Sequence, residues 1–140
     1  MKRAKLFFLI LVVVACVKCT KNDNDSNVPL AQVNVTVNIN QPAYFNLQTV
    51  GGWEYLNGGS RGLLVYRNGP EEFRAFDRHS PYNLQANCRV FVDSTNIFAV
   101  DTCSGSRFLI IDGSVETGPA SRPLTQYQTT YNGTVLQIYN

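Results

Sequence analysis

From residue 33 to 40 the apolar side chains fall on every second position: Val33, Val35, Val37 and Ile39 alternate with Asn34, Thr36, Asn38 and Asn40. A strand sends successive side chains to opposite faces, so this run predicts a half-buried strand rather than an amphipathic helix, whose apolar positions recur every three to four residues. Strands are expected again over 62–68, 72–77, 88–93 and 96–101, the last two joined across a turn at Ser94 and Thr95. The strand 106–111 ends at Asp112-Gly113. Asn132-Gly133, the strongest short hairpin signal available, joins 126–131 to 134–139. No segment of ten or more residues carries a capped helical stripe. The chain is therefore expected to be all-β, a small antiparallel multi-sheet sandwich or barrel. Stretches 81–87 and 116–123 break the pattern and have the length of loops that build sites.

The first residues read differently. Lys2, Arg3 and Lys5 precede an unbroken apolar run over 6–15, the layout of a secretory signal. At about 1.5 Å per residue the run is too short for the roughly 20 residues that cross a bilayer. Val13-Val14-Ala15-Cys16 resembles the lipobox of bacterial lipoproteins. That resemblance implies a signal over 1–15, acylation of Cys16, and a place in the cell envelope. The protein would be anchored to a membrane through lipid, periplasmic or surface-exposed, with the outer membrane expected. Cys19 suits the role less well because Lys18 precedes it, and it is left as an odd thiol. Residues 16–29 form an expected polar tether, and 30–140 form one domain with no second.

The formal charge of +2 is carried by the signal, which holds three of the twelve basic residues. Without it, nine basic side chains face ten acidic ones. A net charge of −1 with no basic cluster excludes nucleic acid as an expected partner. Arg61, Arg67, Arg74, Arg78, Arg89, Arg107 and Arg122 are scattered and read as solvated strand faces.

Residues 75–124 resemble a Rieske iron–sulfur domain, whose pattern is C-x-H followed after a hairpin by C-x-C-H-G-S-x-F, a glycine, a Gly-Pro loop and a Pro-Leu. Here Phe76-Asp77-Arg78 leads into Ser80-Pro81-Tyr82. Asp101-Thr102-Cys103-Ser104-Gly105-Ser106-Arg107-Phe108 leads into Gly113, then Gly118-Pro119-Ala120, Pro123-Leu124 and Tyr127. Ser106, Gly118 and Pro119 keep the family's loop positions. The resemblance implies a [2Fe-2S] cluster, held by two thiolates and two imidazoles, and electron transfer or an oxidoreductase role. Carried across, however, the ligands fall on Ser80, Tyr82, Asp101 and Ser104, none a suitable donor for the cluster. The chain has one histidine, His79, so a two-histidine site cannot be built. No cluster is expected.

Cys103 falls where respiratory members carry a disulfide cysteine, and export favours pairing, so a Cys88–Cys103 disulfide is expected. Cys88 stands a few residues later than the family's usual partner. A closed loop of this size contributes about 3 kcal/mol in the chain-entropy model. His79 with Cys88 and Cys103 offers nitrogen and sulfur for zinc, but the spacings match no common signature. His79 is expected to be a partly exposed loop residue, and no metal site is assigned.

Catalytic sets are absent. Ser104 and Ser106 with His79 and Asp101 supply triad residue types without a nucleophile elbow. Glu71-Glu72 sits in an apparent turn, and no P-loop or dinucleotide fingerprint occurs. Trp53, Tyr55 and Tyr66 could line a ligand face, though aromatics on strands more often form cross-strand pairs. The expected role is a noncatalytic accessory or binding module of the envelope, with an unknown envelope protein or small ligand as partner. A small ligand would use the loops 81–87 and 116–123.

Overall fold

The computed structural model describes residues 27–140. The expected signal, Cys16, Cys19 and the tether up to 26 lie outside the described residues. Val28, near the start, is already buried.

Ten strands form two antiparallel sheets. The larger has the order β1-β10-β9-β4-β3-β2 and the smaller β5-β6-β7-β8. In the larger sheet β1 is Asn34–Asn38, β2 Trp53–Leu56, β3 Leu63–Arg67, β4 Phe73–Asp77, β9 Gln126–Tyr131 and β10 Val135–Tyr139. In the smaller, β5 is Val90–Val92, β6 Phe98–Asp101, β7 Arg107–Leu109 and β8 Val115–Thr117. Every expected strand is present, β9 over its full expected length and the others shortened by one to three residues in all. β2 and β8 were not expected. Nor were two 3-10 helices, Pro42–Gln48 and Leu84–Ala86. The expected loop 116–123 thus begins inside β8. Two of its three residues are exposed, so no alternation marked it.

The alternating first strand is an edge strand. It pairs with the last one, in a register running from Asn34 opposite Tyr139 to Asn38 opposite Val135. Its inward residues Val33 and Val37 join Leu63, Val65, Phe73, Ala75, Tyr127, Leu136 and Ile138 in one core cluster. Leu64 and Phe76 point the other way, into a second cluster with Val90, Ala99, Phe108, Ile110 and Leu124 between the two sheets. β3 is therefore apolar on both faces, which explains its unbroken Leu63-Leu64-Val65 run. Trp53 lies opposite Tyr66 in the β2–β3 register, and both pack with Tyr55 against this second cluster.

The chain passes between sheets just after β4. Arg78 N–H donates to Gly62 O at 2.9 Å, Val90 N–H to Arg78 O at 2.8 Å, and Ser80 N–H to Cys88 O at 2.9 Å. Asp77 anchors this crossing. Its Oδ1 accepts the N–H groups of Arg61 and His79, and its Oδ2 those of Ser60 N–H and Tyr127 O–H, all at 2.5–3.2 Å.

Tyr127 is buried beside that carboxylate, and burial first, then the bond to Asp77, pushes its phenol above the ordinary value of 10.0. A folded-state pKa above the unfolded one means that stability is full below pH 10 and falls as pH rises past it. The denaturation midpoint is expected to drop between pH 9 and pH 11, and Tyr127→Phe should flatten that drop. An equal drop in both proteins would remove Tyr127 as its cause.

Candidate functional site

Three of the four positions where the sequence resemblance places cluster ligands meet at one end of the smaller sheet. Asp101 ends β6 and is buried. Its Oδ2 accepts the hydroxyl protons of Ser80 at 2.7 Å and Ser104 at 2.6 Å, and its Oδ1 accepts Cys103 N–H at 2.9 Å. The hydrogen bonds run in one direction. Ser104 Oγ, having given its proton to Asp101, accepts from Ser106 Oγ at 2.8 Å, and Ser106 Oγ in turn accepts Ala120 N–H at 2.9 Å. Ser106 is fully buried and so fastens the Gly118-Pro119-Ala120 loop to the loop after β6. The Gly118-Pro119 peptide is cis. Tyr82, the fourth position, is 41% exposed; only its N–H reaches the group, donating to Ser80 Oγ at 3.3 Å.

Cys88 and Cys103 form a disulfide, with S–S 1.99 Å and Cα–Cα 6.3 Å. It ties Cys88, two residues before β5, to the loop after β6, beside Asp101. The two sulfurs and the Asp101 carboxylate lie within 4.8 Å of one another, but the sulfurs are bonded to each other and offer no thiolate. His79 does not join them.

His79 and Arg78 differ from expectation. His79 is 2% exposed, not a partly exposed loop residue. Its Nδ1 lies 2.8 Å from Ser60 Oγ and its Nε2 3.4 Å from Leu84 O, so an Nε2–H tautomer accepts from the serine and donates to the carbonyl. Arg78 is buried rather than on a solvated face. Its guanidinium lies 3.6 Å from the centroid of the Tyr55 ring and 4.8 Å from that of Phe91, and its Nε donates to Val90 O. Desolvation lowers its pKa. Arg67 and Arg107 also cover aromatic rings. The burial of Arg78 and His79 comes from the pairing of 78–80 with 88–90, which no local spacing reveals.

Of the stretches 81–87 and 116–123, only the end residues Pro81, Arg122 and Pro123 line a common cleft. A cleft of about 480 Å³ lies between Pro81 and Pro123, lined also by Val28, Leu30 and Leu124.

No protein-family model matches the chain, and no curated protein does. Among solved structures, the plasma membrane Rieske protein PetC3 from the cyanobacterium Synechocystis PCC 6803 is similar, with 25% identity and a TM-score of 0.58. The match covers 76% of this chain and 99% of that one. The fold is Rieske-like. It extends the likeness well beyond 75–124, into the larger sheet.

A Rieske-like fold raises the question whether these residues fit a [2Fe-2S] cluster. They do not. Two hydroxyls and a carboxylate bonded to one another, with an exposed phenol, supply neither thiolate nor imidazole, and His79 is turned to Ser60 and Leu84.

Proposed function

We propose that this chain is a lipid-anchored accessory or binding module of the bacterial envelope, noncatalytic, whose Rieske-like domain works without a cluster. One observation carries the reading: Ser80, Asp101 and Ser104 satisfy one another's hydrogen bonds, so the loops that would clasp a cofactor are held by a polar network instead. A buried network of this kind is stable only when its members are all paired. The Val13-Val14-Ala15-Cys16 pattern supports the anchor, and among the described residues no helix is long and apolar enough to cross a membrane.

The test is purification of the full chain from cells that co-express iron–sulfur assembly machinery. The expected preparation is colourless, with iron and acid-labile sulfide far below stoichiometric. Two irons and two sulfides per chain would overturn this reading and establish the electron-transfer alternative. The anchor has its own test. Labelled fatty acid should enter the protein and be lost in Cys16→Ser; a label that persists in that variant would place the lipid elsewhere.

A further inference from the structure

We propose that the groove between the 3-10 helix Pro42–Gln48 and the β5–β6 turn binds a neutral oligosaccharide. This goes beyond the proposed function and depends on neither the lipid nor the missing cluster. The groove encloses about 470 Å³ and is lined by Phe45, Asn46, Thr49, Val50, Trp53 and Asn96, over a floor of Gly51 and Gly52. That volume lies in the range of about 300–1,000 Å³ typical of small-molecule sites.

The lining has three properties that together select the ligand. First, no ionisable side chain lines it, and the one carboxylate beside it, Glu54, is bonded to Asn46, so an anionic ligand would meet no cation there to replace its hydration. Second, it exposes flat apolar surface: Phe45 is 68% and Val50 51% exposed, while Trp53 rests partly on the core cluster below. Exposed aromatics beside polar groups suit a ligand that is apolar on one face and hydroxylated at its edges, as a pyranose ring is. Third, the polar groups are held but not used up. Trp53 Nε1–H donates to Asn96 Oδ1 at 2.9 Å, and Asn46 Nδ2 donates to Glu54 Oε1 at 2.7 Å. Asn96 Nδ2, Asn46 Oδ1 and the Thr49 hydroxyl make no hydrogen bond among the described residues, leaving a donor, an acceptor and a group that is both. Sugar hydroxyls match such a set.

The groove is also preformed. A Cβ on Gly52 would come within 1.7 Å of Asn46 O, so the helix and its following turn close on a glycine that no other residue can replace without moving the backbone. Asn96 sits at φ +58 in a turn closed by its N–H to Asp93 O, and its side chain is bonded to Trp53 across 43 residues of sequence. Preorganisation of this kind lowers the ordering cost of binding.

Trp53 is the only tryptophan in the chain, so intrinsic fluorescence reports directly on the groove. The full chain, kept in a detergent without a sugar head group, would be titrated with maltohexaose, cellohexaose and chitohexaose to millimolar concentration. A saturable change in Trp53 emission with at least one of them is expected, weakened about tenfold in Phe45→Ala and reduced in Thr49→Val. Both substituted positions are exposed, so an unchanged melting temperature will show that the variants are folded. No saturable change with any of the three sugars overturns the proposal. So does binding that Phe45→Ala leaves intact, or emission that shifts with protein concentration alone, which would assign the groove to a second copy of the chain.

Discussion

Asp77→Ala is expected to lower the unfolding free energy by about 4 kcal/mol, read from the denaturant midpoint at neutral pH. The carboxylate is fully buried and accepts four donors from three separate parts of the chain: Ser60 and Arg61 before β3, His79 in the crossing segment, and Tyr127 in β9. Alanine leaves all four without that partner; the His79 N–H and Tyr127 O–H bonds are buried and the Ser60 and Arg61 N–H bonds half-buried, and each buried, unsatisfied donor costs about 1–3 kcal/mol. Partial relaxation keeps the total below the sum. Asp77→Asn should recover part of the loss, because its amide oxygen still accepts while its NH₂ group opposes a donor. The exposed Glu72–Arg74 pair, at 2.5 Å, provides the contrast. Breaking it is expected to cost less than about 1 kcal/mol. An Asp77→Ala loss as small as that would show that the crossing segment is not held by this residue.

The fold was legible where side-chain alternation is local. β1, β4, β9 and β10 could be read from apolar spacing, β3 from its short unbroken apolar run, and the β9–β10 turn from Asn132-Gly133, where Gly133 takes φ +91. β2 was not, although Trp53 and Tyr55 occupy one face and Glu54 and Leu56 the other. Four strand residues are too few to establish a period, and the Tyr55 ring is covered by Arg78 from another segment. The 3-10 helix Pro42–Gln48 buries only Leu47 and so has no stripe to read.

The site divides in the same way. The disulfide was legible from two cysteines in the body of an expected exported protein together with the family pattern. The positions Ser80, Tyr82, Asp101 and Ser104 were legible from that pattern as well. What could not be read was that three of them bond to one another while Tyr82 stays outside, because contact between residue 80 and residues 101–104 exists only after the two sheets pack. The Asp77 network left one trace in the sequence. Gly59 is required where a Cβ would come within 2.6 Å of Asp77 Oδ2, but the pair Gly58-Gly59 looks like any turn until the partner carboxylate is known.

The disulfide and the Asp101 network hold the same loop, and this coupling gives the second large effect. Cys88→Ser/Cys103→Ser is expected to cost about 3 kcal/mol, the loop-closure contribution of a bridge spanning 15 residues. Asp101→Ala is expected to cost about 3 kcal/mol by a different route, leaving the Ser80 and Ser104 hydroxyls and Cys103 N–H without their acceptor. Were the two devices independent, the triple variant would lose the sum. They are not independent, because Cys103 carries both the sulfur and the N–H that Asp101 holds. Once the bridge is gone, the loop after β6 can move outward and the donors, of which Ser80 is buried and Ser104 half-buried, can turn to water, so losing Asp101 then costs less. Denaturant titration of the four proteins should give a coupling of about 1 kcal/mol or more, with the triple variant more stable than additivity predicts. Strict additivity would mean that the bridge and the carboxylate fasten different parts of the loop. A coupling of this size instead identifies the disulfide as what holds the loop where Asp101 can accept from it.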